Sequence, residues 1–333
     1  MESLESRKKD HIELAFKSQT NQPEMDRRFH YEPMLQAHPT GGLQPFNFLG
    51  KEHRVPMWVS SMTGGTKLAG TINRNLAKAC NEFGMGMGLG SCRIIMEDDT
   101  YFEDFNMRPV IGDHLPLWAN LGIAQVEELV QAKQTGKAAG LVEKLDADGL
   151  IIHVNPMQEW FQPEGDILSA PPLDTLRQFL DHFSHPVIVK EVGQGMGPES
   201  LRQLLQLPLQ AIEFAAFGGT NFARVELLRD ESESAALFEP LSMIGEDAGT
   251  MLNEINRIVA EEPPVCQEII ISGGIRTFLD GYYLIRKSSL PAIYGMASTF
   301  LKYAREDYGL LREFVRSQVR GLEMAYAYLT VRE

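Results

Sequence analysis

Cysteine is scarce in this chain. Cys80, Cys92 and Cys266 are odd in number, far apart and without a CxxC pair, which excludes a disulfide framework, argues against a structural zinc site and suits reduced thiols in the cytosol. Long apolar runs are missing as well: none approaches a membrane span, and residues 1–10 are charged with no apolar leader core, so a cytoplasmic protein with no membrane partner is expected. Basic charge is short. Thirty-one Lys and Arg stand against 45 Asp and Glu, a net charge of −14, which speaks against a surface that tracks nucleic acid. A small anionic ligand stays admissible, because it feels groups within a Debye length of about 8 Å rather than the whole sum. Internal repeats and low-complexity tracts are absent too.

What the chain does have is a periodic arrangement. Eight short apolar runs, at 56–60, 86–90, 115–119, 150–154, 186–189, 211–217, 268–271 and 292–294, each end in small or polar residues, and helix-like sequence follows each. Eight such units predict an α/β fold, a closed parallel (β/α)8 barrel of the TIM type, whose chemistry collects at the carboxyl ends of the strands. With 333 residues, 44% of them apolar, the chain has material for one large core. One domain is expected, with 1–50 as an N-terminal helical arm and connection and 51–333 as the barrel. Helices are expected at 7–17, at 126–145 with a small-residue gap at 135–140, at 173–183, at 200–207 and through 298–333. Residues 221–245, with Asp230-Glu231-Ser232-Glu233, read as an extended loop of the kind that acts as a lid.

The strand ends supply the candidate chemistry. Ser272-Gly273-Gly274 and Gly295-Met296-Ala297 follow strands seven and eight, where barrels commonly build a phosphate site from backbone N–H groups. Thr63-Gly64-Gly65 and Gly218-Gly219-Thr220 are either tight turns or, with Ser91 and Asn120, the wall of a neutral polar crevice that fits a flavin. Lys190 ends an apolar strand; it is a partner for Glu191, a fixed charge beside a flavin, or a Schiff-base amine. His153-Val154-Asn155-Pro156-Met157-Gln158-Glu159 contains no zinc motif, and alternation puts His153 and Asn155 on one side. Glu159 among amides suits Mg²⁺, or else is a cap or a solvated charge. Arg7-Lys8-Lys9-Asp10-His11 is a solvated face or, with Arg93, a set of donors for a diphosphate.

Together these segments resemble the flavin-dependent, type 2 isopentenyl-diphosphate isomerase family. The resemblance rests on Arg7 to His11, Met62-Thr63-Gly64-Gly65, Gly88 to Arg93, Ala119-Asn120-Leu121-Gly122, His153 to Glu159, Gln162-Pro163-Glu164-Gly165-Asp166, Val189 to Gly193, Gly218-Gly219-Thr220 and Ser272-Gly273-Gly274, in order along the chain. It implies a barrel that binds FMN, takes NADPH as reductant, requires Mg²⁺ and interconverts isopentenyl and dimethylallyl diphosphate without net redox change. By motif, FMN would contact Met62, Thr63, Gly64, Ser91, Asn120, Lys190, Thr220, Gly273, Gly274, Met296 and Ala297. The diphosphate would meet Arg7, Lys8, His11, Arg93, Asn155 and Gln158, with Mg²⁺ at Glu159 and with His153 and Gln158 as catalytic residues. A homo-oligomer is expected. The chain departs from the family pattern at Cys92, at Phe278, which would narrow the phosphate end, and at Asp247-Ala248-Gly249-Thr250, which would alter the lid. The rival readings are an FMN-dependent 2-hydroxy-acid oxidoreductase on the same barrel and a non-catalytic FMN-binding barrel.

Overall fold

The computed structural model describes residues 4–61, 66–230 and 232–332. Eight parallel strands close into a barrel: β1 (Met57–Val59), β2 (Gly86–Gly88), β3 (Leu117–Gly122), β4 (Gly149–His153), β5 (Val187–Lys190), β6 (Ala211–Glu213), β7 (Ile269–Ser272) and β8 (Ala292–Met296), with β8 paired to β1. Each falls on one of the eight expected runs. Because both faces of these strands are covered, the runs are continuously apolar rather than alternating.

Side-chain direction still alternates, and it sorts the residues into two cores. Trp58, Trp118, Ile151, Ile188, Ala211, Ile270 and Ile293 point inward and pack with Phe48 and Leu49, which close the barrel floor. Met57, Val59, Leu117, Leu150, Ile152, Val187 and Val189 point outward against the helices. The next inward position along each strand toward its carboxyl end is therefore set by geometry: Ser60, Gly88, Asn120, His153, Lys190, Glu213, Ser272 and Gly295. An apolar interior thus ends in a polar layer at the mouth.

Local chemistry places the remaining elements. The floor hairpin, Phe46–Phe48 with Lys51–His53, is fastened by Leu49 N–H donating to the Glu268 carboxylate and by Lys51 Nζ against Asp148 at 2.5 Å. Arg108, buried, donates to the other oxygen of Asp148 at 2.9 Å. The chain ends also meet: Phe29–Tyr31 pairs antiparallel with Leu329–Val331.

Several expectations need correction. The helix expected over 126–145 is two helices, Ile123–Gln131 and Gly136–Lys144, broken where Lys133 takes φ 56°. Residues 221–245 are not an extended loop; they form helices Phe222–Arg229, capped by Asn221 Oδ1, and Glu233–Ser242. The C-terminal region is two helices, Ser298–Ala304 and Tyr308–Tyr328, followed by the strand that meets Phe29–Tyr31. The first helix runs Leu4–Leu14, so it begins and ends three residues earlier than expected. Among the described residues no helix is long and apolar enough to cross a membrane.

Candidate active site

A cavity of about 300 Å³ opens at the carboxyl ends of the strands. It is lined by Ser60, Ser61, Lys190, Glu213, Thr220, Gly273, Gly274, Met296 and Ala297 among others. Two glycine pairs form one wall. Gly273 adopts φ 91° and lies so close to the loop after β6 that a Cβ there would sit 2.1 Å from the Ala216 carbonyl oxygen, so loop packing alone demands glycine. The N–H groups of Gly218, Gly219, Gly273 and Gly274 donate to no described residue, which leaves them free for an anion.

The floor of this cavity is ionic. Glu213, fully buried, accepts hydrogen bonds on one oxygen from Ser60 Oγ at 2.5 Å and Ser272 Oγ at 3.1 Å, while its Oε2 has no partner among the described residues. Ser61 Oγ, also buried on the wall, has no partner among the described residues either. Lys190 stands in register with Glu213, yet its ammonium donates to the Glu191 carbonyl at 2.8 Å and forms no ion pair with a described carboxylate. A buried cation without a counter-ion is costly unless an anionic or acceptor group fills the space beside it. The Glu191 carboxylate is engaged elsewhere, accepting N–H bonds from Gly193, Gln194 and Gly195 at 2.6–2.9 Å; burial nevertheless raises its pKa above the usual carboxylate value.

His153 lies on the far side of Lys190, paired with it across β4 and β5. Its Nδ1 is 2.7 Å from Asn120 Oδ1, and Asn120 Nδ2 donates to the Leu89 carbonyl at 3.0 Å. Because Asn120 Oδ1 only accepts, Nδ1 carries the proton. Burial, reinforced by the Lys190 charge, lowers the His153 pKa to about 3, so the ring is neutral with Nε2 free to accept.

A second cluster forms on the loop after β4. Asn155 Nδ2 donates to Glu159 at 2.8 Å and to Gln158 at 3.2 Å, and Gln158 Nε2 donates to Glu226 at 3.2 Å. Glu226 in turn receives Arg229 at 2.5 Å. The N–H of Asp166 donates to the other Glu159 oxygen at 2.9 Å. Arg93 joins through Asp166 at 2.8 Å. Asn155 Oδ1 is buried and has no partner among the described residues.

Protein relatives extend the pattern. The chain is 36% identical over 233 residues to an isopentenyl-diphosphate delta-isomerase of Mycolicibacterium gilvum, covering 70% of this chain and 65% of that protein. It is 34% identical over 281 residues to that of Rickettsia felis, covering 83% and 77%. Against that of Rickettsia prowazekii it is 31% identical over 326 residues, covering 96% of this chain and 91% of the relative. The chain belongs to the isopentenyl-diphosphate delta-isomerase family. No family model matches it. Among solved structures, a mandelate oxidase variant with a monooxide FMN adduct aligns with TM-score 0.55 at 16% identity over 92% of this chain and 88% of that one. A flavocytochrome b2 variant with sulfite bound aligns with TM-score 0.59 at 15% identity over 90% and 72%. At such identity these two share the barrel fold.

On this isomerase-family barrel the expected residues fall into separate groups. Lys190, Thr220, Gly273, Gly274, Met296 and Ala297 share the cavity. Asn120 is joined to His153, and Asn155, Gln158, Glu159 and Arg93 to one another. Ser91 is exposed in a neighbouring groove with Arg93. Met62, Thr63 and Gly64 lie outside the described residues. Arg7, Lys8 and His11 are exposed on the first helix, and their side chains bond no described residue. Phe278 does not line the cavity; its ring lies against Gly321 of the C-terminal helix. Asp247 caps the helix Ala248–Glu261 with its carboxylate, a role the sequence does not announce. Cys92 is buried, and its thiol is pushed up to about 12 by burial, so it stays protonated.

Two site residues escape the sequence. Glu213 sits inside an apolar run, and only inward alternation from Ala211 marks it. Glu226 lies in the stretch that reads as a loop.

Proposed function

We propose that this enzyme interconverts isopentenyl and dimethylallyl diphosphate on a reduced flavin. The observation that carries the reading is Lys190: a buried ammonium with no carboxylate partner among the described residues, facing a cavity walled by glycine amides that donate to none of them. Those features fit FMN. Lys190, Asn120 and Thr220 would hold its ring, Gly273, Gly274, Met296 and Ala297 its phosphate end, and Met62, Thr63, Gly64 and Ser91 are assigned to it by motif alone. The unpartnered Ser61 Oγ and Glu213 Oε2 offer further polar contacts. When bound and reduced, with NADPH as the reductant, FMN would supply the acid–base chemistry for the proton the alkene gains and the one it loses.

The protein's own groups then bind and orient. Glu159 and the unpartnered Asn155 Oδ1 are oxygen donors suited to Mg²⁺, which is typically held by one or two carboxylates together with substrate phosphates. Arg93 offers a fork for the diphosphate, joined by Arg7, Lys8 and His11 when the first helix closes over a barrel mouth. Neutral His153, with Nδ1 donating to Asn120 and Nε2 an acceptor, fixes Asn120 and the edge of the site. Gln158, held by Glu226, is placed to orient the alkene. The oxidoreductase reading has less support: a hydroxy-acid substrate needs a titratable histidine base and paired arginines near β7, where Arg276 stands alone on the cavity wall.

The test is anaerobic. FMN-loaded, reduced protein with Mg²⁺ is given isopentenyl diphosphate in deuterated water. Deuterium in the dimethylallyl product is expected; unlabelled or absent product overturns the reading.

A further inference from the structure

The segment Gln162-Pro163-Glu164-Gly165-Asp166 has no part in the function above, yet both of its carboxylates hold an arginine. Arg229 Nη2 donates to Glu164 at 3.0 Å, and Arg93 Nη1 donates to Asp166 Oδ2 at 2.8 Å. The second pair is fixed from both sides. Gln125 Nε2 donates to the same Asp166 oxygen at 3.1 Å, and the Asp166 N–H is bonded to Glu159. Gly165 turns the chain tightly enough that a Cβ there would lie 1.9 Å from the Glu159 carbonyl oxygen. The carboxylate of Asp166 is therefore presented to Arg93 by rigid neighbours, and the ion pair stands between two grooves, one containing Ser91 and the other Glu159.

The geometry points to Asp166 as a resident counter-ion for Arg93, displaced only by an anion carrying more charge than a carboxylate; it sets the charge the rim accepts. This rests on the diphosphate reading of the same site. Arg93 is largely exposed, so its pair with Asp166 is weak enough to exchange. A singly charged ligand gains nothing by the exchange, since it replaces one carboxylate-like partner by another and leaves Asp166 beside it as a repelling charge. A diphosphate brings several charges and many acceptor oxygens, and its Mg²⁺ offsets the repulsion. Asp166 keeps Gln125 and its N–H bond to Glu159 after losing Arg93, so exchange does not require the loop to move.

The test is calorimetric titration of inorganic pyrophosphate and, separately, inorganic phosphate into the full chain loaded with FMN and Mg²⁺. Asp166→Asn should tighten pyrophosphate roughly two- to fivefold, tighten phosphate by a larger factor, and so narrow the preference between them. The gain should shrink when Arg93 is already Gln. Loss of a merely structural contact would weaken both ligands instead. Unchanged or weaker pyrophosphate binding, or an equal gain in the Arg93→Gln background, overturns the inference while leaving the isomerase reading intact. Wild-type protein that binds no pyrophosphate overturns both.

Discussion

His153 and Lys190 face each other across adjacent barrel strands, and the ammonium adds to burial in holding the imidazole at about 3. Removing that charge must raise the histidine's pKa. Lys190→Met should therefore shift the His153 titration upward, toward its ordinary value, in nitrogen-detected NMR. The same variant should bind FMN ten- to a hundredfold more weakly, as expected for a charge-assisted hydrogen bond of about 1.5–3 kcal/mol. Retained flavin with an unmoved histidine would contradict the placement of the charge.

Gln158 depends on Glu226 for its orientation. Glu226→Gln keeps the shape but removes the carboxylate that accepts both Gln158 and Arg229. Turnover should fall about tenfold, with flavin absorbance and KM nearly unchanged, since a net hydrogen bond contributes about 0.5–1.5 kcal/mol. A change confined to flavin content would move Glu226 to a different role.

Glu159→Gln should abolish the dependence of turnover on Mg²⁺ while FMN remains bound. A loss of at least about a hundredfold in kcat/KM is expected, the scale of a metal-held phosphate. Chelation of Mg²⁺ from wild-type protein should reproduce it; full activity in the presence of chelator would remove the metal from the mechanism.

His53 provides a test of stability rather than of activity. It is fully buried between Phe46 and Phe48, and burial lowers its pKa to about 4, opposed only in part by a contact with the Phe48 backbone. Above about 6.5 the ring is neutral in both folded and unfolded chains and contributes no pH dependence. Between 6.5 and 4 the unfolded chain binds a proton that the folded one refuses, so stability falls as pH drops, by up to about 1.4 kcal/mol per unit. Denaturant midpoints across that range should show a shallower slope for His53→Phe. An equal slope would mean that the ring finds a partner.

The barrel was legible because its strands are buried on both sides: runs such as Ile269-Ile270-Ile271 are apolar whichever face they show. The helices between Asn221 and Gly245 were not. Phe222–Arg229 and Glu233–Ser242 leave Leu228, Leu237 and Leu241 exposed, so no apolar stripe announces them, and their order comes from the Asn221 cap and from packing such as Phe161 on Phe238. The candidate site was readable where a residue type is rare at a strand end, as with Lys190 and His153. It was unreadable where function depends on a missing partner. Nothing in the sequence tells that the Lys190 ammonium lacks a carboxylate, or that Asp166 occupies Arg93.

The pairing of Phe29–Tyr31 with Leu329–Val331 has a consequence for synthesis. Phe29 receives a hydrogen bond from Arg332, 303 residues away, and its strand is zipped to the last strand of the chain. During translation the leading segment has no such anchor until Leu329–Val331 leave the ribosome. The barrel strands, complete at Met296, can close around their own core earlier, but the helix ahead of Phe29 lacks this tether until then, so a nascent chain stalled short of Leu329 would carry a closed barrel and a loose arm.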